Sequence, residues 1–194
     1  MNRVWSQAIV AAILALSSVG ISATAGQNTT SQPGGLQIFA ERVAAYADLH
    51  QRVDAVFPPW TATNDVASIF GRRAYLAVAI NAERPEAKQG DIFEPSAANA
   101  LRGIVANALS EVDVEWMLQG LYEDCEMPAG YRPEVNTGYP PWATHEMPFV
   151  LLSALPALPA GIQYRLIDRD LLLWDVDANL IIDVLPDALP RAGS

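Results

Sequence analysis

The run QYRLIDRDLLLWDVDANLIIDVL, Gln163 to Leu185, decides the fold. Three stretches within it, Gln163 to Ile167, Leu171 to Val176 and Leu180 to Leu185, are rich in large and β-branched apolar residues and are too short for stable helices. Asp168-Arg169-Asp170 and Asp177-Ala178-Asn179 separate them, and both triplets suit tight turns. The run therefore reads as a three-stranded antiparallel meander. Alternation places Leu172, Trp174 and Val176 on one face and Leu171, Leu173 and Asp175 on the other. Both faces are apolar, so the meander needs a second layer, and Trp174 is expected to pack against it.

Working outward from the meander, that layer is helical. From Leu36 to Phe57 the residues Phe39, Val43, Tyr46, Val53 and Phe57 recur on one helical face before Pro58-Pro59 stops the run. A second helix, capped by Thr63 or Asn64, carries Val66, Ile69, Phe70, Ala77 and Ile80 in a stripe that ends at Pro85. Pro95 suits the first position of a third helix, whose buried side is Ala97, Leu101, Ile104 and Ala108. Ser110 with Asp113 opens a short fourth helix bearing Val114, Met117, Leu118 and Leu121, and helix ends near Glu123. Between Pro128 and Pro148 stand five prolines and two glycines, a composition for an extended connection rather than regular structure. Loops of that length are uncommon inside compact domains unless they carry function, so this one is the expected wall of any site. A helical turn, Phe149 to Leu155, precedes the meander. Helices first and strands last give an α+β fold, a layer of about four helices packed on one face of the C-terminal three-stranded meander.

At the other end of the chain, Arg3, an apolar run from Ala8 to Ile21 and the triplet Ala23-Thr24-Ala25 form a secretory signal peptide over residues 1–25. Its apolar run falls short of the roughly 20 residues of a membrane anchor. No Cys follows to carry a lipid, so the mature protein is expected in the periplasm or outside the cell with no stable membrane anchor. Residues 26–35, GQNTTSQPGG, have too little apolar surface to order and read as a flexible leader, which includes an Asn28-Thr29-Thr30 sequon. Residues 36–190 then make a single domain. Cleavage leaves 169 of 194 residues and moves the net charge from −10 to about −11. An acidic chain disfavours nucleic acid, keeps a protein soluble and leaves room for a protein partner. Cys125 is the single cysteine, so the fold rests on its core and not on an internal disulfide.

The stretch LPALPAGIQYRLIDRDLLLWDVDANLIIDVLPDALP, residues 155–190, resembles the end of a group of uncharacterised exported bacterial proteins. In that group a helical half with a GDIF-type loop, here Gly90-Asp91-Ile92-Phe93, precedes an LP-x-LP meander. The resemblance covers most of residues 36 to 190. It implies an exported α+β protein and carries over no activity, cofactor or catalytic residue. More loosely, the meander resembles the terminal ribbon of small periplasmic modules.

The side chains that could carry chemistry are few. His50 shares the helical face of Phe39, Val43 and Tyr46, so it is expected half-buried and hydrogen-bonded. Arg73 lies in the apolar stripe of the second helix, where it is expected in a structural ion pair, with recognition of a carboxylate-bearing ligand as the alternative. His145-Glu146 begins like a zinc-protease helix, but Phe149 stands where the second His would be. The pair remains the candidate for general-base chemistry in a small hydrolase or lyase. Cys125 sits among Glu123, Asp124 and Glu126, an environment that opposes a thiolate nucleophile. Asp175-x-Asp177-x-Asn179 matches half of a calcium loop. Leu180 and Pro186 break the other half, so a hairpin turn is the simpler reading and weak divalent-cation binding the alternative. Trp60, Trp116, Trp142 and Trp174 are core or loop-anchoring candidates. No cofactor is expected. The sequence therefore favours a non-catalytic interaction or envelope-maintenance module, for which an exposed apolar patch is the structural signature.

Overall fold

The computed structural model describes residues 34–191 apart from 60, 62 and 124. The signal peptide, the Asn28 sequon, Trp60 and nearly all of the leader lie outside the described residues. Helix α1 (Gly35–Asp54) buries Phe39, Val43, Tyr46 and Val53, the stripe its spacing predicts. Gly35, assigned to the leader by composition, is its first residue. A Cβ there would lie 2.2 Å from the Ser96 carbonyl oxygen, so only glycine lets the chain approach so closely.

Helix α2 (Val66–Glu83) is capped by Asp65 and not by Thr63 or Asn64, because the Asp65 carboxylate reaches the backbone N–H groups of Ala67 and Ser68. Its predicted stripe is partly wrong. Leu76 and Ile80 are buried, whereas Val66 and Phe70 face solvent. Helix α3 (Pro95–Ala108) starts with Pro95 behind a Glu94 cap and buries Ala97, Ala98, Leu101 and Val105. Helix α4 (Val114–Tyr122) uses Asp113 itself as the cap and buries Leu118. Trp116 on α4 is exposed, against expectation. Helix α5 (Phe149–Ala154) is short. No helix among the described residues is long and apolar enough to cross a membrane.

The meander comprises β1 (Ile162–Ile167), β2 (Asp170–Asp175) and β3 (Leu180–Leu185) in the order β1-β2-β3, both pairs antiparallel. Asp168 and Asn179 hold φ of 53° and 51° in the turns, a left-handed conformation that Asp and Asn tolerate. The five helices precede a C-terminal three-stranded sheet, so the fold is α+β. On one sheet face Leu166, Leu171, Leu173, Leu180 and Ile182 join the helix side chains in the larger core. Phe39 stacks on Phe93 at 5.7 Å between ring centroids, at the centre of that layer.

The other face carries Ile167, Leu172, Ile181 and Val184, and the Pro-rich segment covers it with Tyr139, Ala143 and Trp142. Trp174 belongs to this side. It packs on Tyr139, ring centroids 5.0 Å apart, and beneath Arg165, and not on the helices as expected. The alternation along β2 is as expected, but the Trp174 face is covered by the Pro-rich segment and the opposite face by the helices. The segment also closes the edge of β3. Asn136 N–H donates to the Ile181 carbonyl at 2.9 Å, Ile181 N–H to the Thr137 carbonyl at 2.8 Å, and Tyr139 N–H to the Asn179 carbonyl at 3.2 Å. Those bonds remove the unpaired ladder that an edge strand would present.

A bulge interrupts β2–β3. Leu173 pairs with Asp183 and Trp174 with Ile181, which leaves Ile182 as the extra residue. One extra residue re-aims the next side chain, so Asp183 follows Ile182 onto the helix-facing side. There its Oδ1 accepts from the N–H of Gly90 and of Val184, and its Oδ2 from Ile92 and Phe93, each at 2.7 Å. The Gly90-Asp91-Ile92-Phe93 loop is thus wrapped around one fully buried carboxylate. Burial pushes this carboxyl above its ordinary value, against four N–H donors that favour the ionised form.

Candidate functional site

Asp175 ends β2 on the helix-facing side, in alternation with Leu171 and Leu173, and is fully buried. A carboxylate in such a position must have its lone pairs satisfied. Its Oδ1 accepts the Ala178 N–H at 2.9 Å, closing the β2–β3 turn. Its Oδ2 accepts the Tyr46 hydroxyl at 2.7 Å and lies 2.6 Å from Nδ1 of His50. Tyr46 and His50 are one turn apart on α1, which brings both to the same carboxylate. Arg84 lies over the Tyr46 ring at 5.1 Å.

The bond to Asp175 raises the pKa of His50, against an opposing effect of burial and with help from the charges of Asp175, Asp177 and Asp54. Burial raises the Tyr46 hydroxyl, and Asp175 adds to it. Because Asp175 accepts only, Nδ1 of His50 carries the proton facing it, and the ring's orientation is fixed. The half-buried, hydrogen-bonded His50 matches its sequence reading; Asp175 as its partner was not foreseen.

Beside the ring lies a cleft of about 430 Å³ lined by His50, Asp54, Thr63, Ile69, Arg72, Arg73 and Asp177. The structural ion pair expected of Arg73 is made by its neighbour. Arg72 pairs with Asp54 across α1 and α2 and donates to the Pro58 carbonyl at 3.2 Å. Arg73 makes no hydrogen bond or ion pair among the described residues.

The half calcium loop does not converge. Asp175 turns inward to α1, Asp177 faces the cleft, and Asn179 accepts from Nε1 of Trp174 at 3.2 Å on the opposite sheet face. Among the described residues no group of three or more His, Cys, Asp or Glu side chains is placed to hold a metal ion.

His145 anchors the Pro-rich segment to β1. Its Nε2 lies 2.8 Å from the Leu166 carbonyl, and its ring meets Tyr122 edge-on at 4.6 Å. Since a carbonyl only accepts, Nε2 carries the proton and Nδ1 is the open base, 3.9 Å from Sγ of Cys125. Burial lowers the pKa of this imidazole. The neutral form of the ring is thereby favoured. Glu146 lines a separate cavity of about 610 Å³ with Tyr164, Arg165 and Leu155, of which His145 is not a wall. The two sequence candidates for acid–base chemistry therefore face different surroundings.

The outward side of α2 is the remaining feature. One strip of it, Ala67, Phe70, Ala74, Tyr75, Val78 and Ala82, is exposed and carries no charge, while Ser68 and the terminal Glu83 are exposed outside that strip; Phe70, Tyr75 and Val78 are 63%, 69% and 68% exposed. Beside it runs a mainly apolar groove of about 360 Å³ lined by Phe57, Pro58, Pro59, Gly71 and Tyr75, with Thr61, Ser68 and Arg72 as its polar walls. The sequence signal is an apolar set on α2 wider than one buried stripe, Val66 and Phe70 lying outside the face that Leu76 and Ile80 bury. Comparison with protein-family models finds no matching family, and comparisons with curated proteins and with solved structures find no significant match.

Proposed function

We propose that this protein is an exported, non-catalytic interaction module that works as a two-fold dimer, joined through the outward side of α2. The observation that carries the reading is the uncharged, solvent-facing surface of that helix. An exposed apolar strip on a helix is of the kind that marks an interaction site, and α2 spans about 27 Å at 1.5 Å per residue.

A second copy is the occupant the surface fits. The face offers an exposed aromatic knob, Phe70, on one flank and an apolar groove beside Tyr75 on the other. A two-fold axis lets each copy's knob enter the other's groove, which is what self-complementary contact requires. Charge favours the same arrangement. The chain carries a net charge of −10, and this face is where two acidic copies can meet without opposing like charges. The signal peptide supports the exported part of the reading, and the separation of His145 from the cavity that Glu146 lines supports binding over catalysis.

Sedimentation equilibrium of the protein purified from the exporting host tests the reading, with Phe70→Asp as the comparison. We expect twice the chain mass for the wild type and the single-chain mass for Phe70→Asp, with an unchanged far-ultraviolet circular dichroism spectrum because Phe70 is exposed in the single chain. A wild type that stays at single-chain mass at the highest attainable concentration overturns it.

A further inference from the structure

Two opposite charges face the cleft beside His50 from different elements: Arg73 from α2 and Asp177 from the β2–β3 turn. Neither makes a hydrogen bond or ion pair among the described residues, whereas the adjacent Arg72 is committed to Asp54 and Pro58. We propose that this cleft binds a small zwitterion, a free α-amino acid. Its carboxylate sits on Arg73 and Nε2 of His50, and its ammonium on Asp177.

Arg73 is half-buried, so its guanidinium has lost part of its hydration and recovers the loss when a partner arrives, while Asp177 offers the opposite charge from the exposed rim. A simple anion would satisfy Arg73 and be repelled by Asp177, and a simple cation would suffer the reverse. A ligand carrying both charges a few bonds apart satisfies the two together. The guanidinium has the planar fork that matches a carboxylate.

His50 supplies the second donor, and its position is built in advance. Asp175 holds Nδ1 at 2.6 Å, and Tyr46 and the Ala178 N–H hold Asp175. The side chain of His50 is 18% exposed while that of Asp175 is 1% exposed, so the ring bridges the buried carboxylate and the cleft. Binding then orders few new groups, which preserves affinity. Ile69 and Thr63 complete the walls with one apolar and one hydroxyl surface. The volume of about 430 Å³ falls at the small end of ordinary ligand pockets, about 300–1,000 Å³.

Isothermal titration calorimetry of the purified protein with each standard L-amino acid singly, and with sodium acetate and methylammonium chloride, tests the proposal. We expect saturable binding of at least one amino acid, with acetate and methylammonium weaker by about tenfold or more. Arg73→Gln and Asp177→Asn should each weaken that binding by about tenfold or more at an unchanged thermal midpoint. The proposal is overturned if no amino acid gives saturable heat, or if acetate binds as tightly as the amino acids. Unaltered amino-acid binding in both variants overturns it equally. Because the comparison of ligands needs no variant, it decides the matter even if a substitution disturbs folding.

Discussion

Replacing Asp183 by Asn should destabilise the protein far more than an isosteric change ordinarily does. The carboxylate divides its work evenly, Oδ1 serving the N–H groups of Gly90 and Val184 and Oδ2 those of Ile92 and Phe93. An amide has one acceptor oxygen, so in either orientation its NH₂ points at two backbone donors and leaves both unsatisfied. Each buried unsatisfied donor costs about 1–3 kcal/mol, which puts Asp183→Asn at about 4 kcal/mol. That is a large share of a total stability of about 5–15 kcal/mol. Urea unfolding followed by tryptophan fluorescence measures it, with the slope checked so that the change in midpoint reports stability alone. A loss below about 1 kcal/mol would refute the reasoning, because it would mean that the Gly90 to Phe93 loop is not held by this carboxylate.

The two histidines should act oppositely on stability as pH changes. The folded pKa of His50 is raised, so its contribution is complete below its unfolded value of about 6.5 and is lost as pH rises through the folded value. The folded pKa of His145 is lowered, so stability falls as pH drops from about 6.5 through the folded value. Urea midpoints measured from about pH 5 to about pH 9 should show His50→Gln flattening the alkaline decline and His145→Gln the acidic one; the same effect from both would contradict the assignment. Trp174→Ala should cost about 2 kcal/mol through lost packing on Tyr139 and Arg165, and Tyr139→Ala should reduce that cost in a double-mutant cycle. Purely additive effects would show that the Pro-rich segment does not cover this face.

The helices and strands were legible because each carries a local signal: the spacing of Phe39, Val43, Tyr46 and Val53, the proline at position 95, and the acidic turn triplets around Leu171 to Val176. What failed depends on long-range pairing. Asp183 stands in plain view among apolar residues in a strand, yet nothing local says that it faces Gly90, some ninety residues earlier, or that a bulge turns it there. Trp174 was placed on the correct alternation but against the wrong layer, since both faces of β2 are apolar and periodicity cannot say which cover lies on which side. Of the candidate site, His50 was legible as a half-buried ring because it shares a stripe with Tyr46. Its partner Asp175 read instead as part of a calcium loop, a pattern that spacing alone cannot distinguish from a hairpin turn. The uncharged side of α2 was misread for the opposite reason. Val66 and Phe70 look like core residues, and an exposed apolar face has the same composition as a core.

The claim that α2 meets a second copy is tested most directly by placing a photo-activatable amino acid at position 70 and irradiating the living host cells before extraction. The account predicts a covalent product of twice the chain mass, containing this chain alone. Capture of a different protein at position 70, or no product at all, would contradict it.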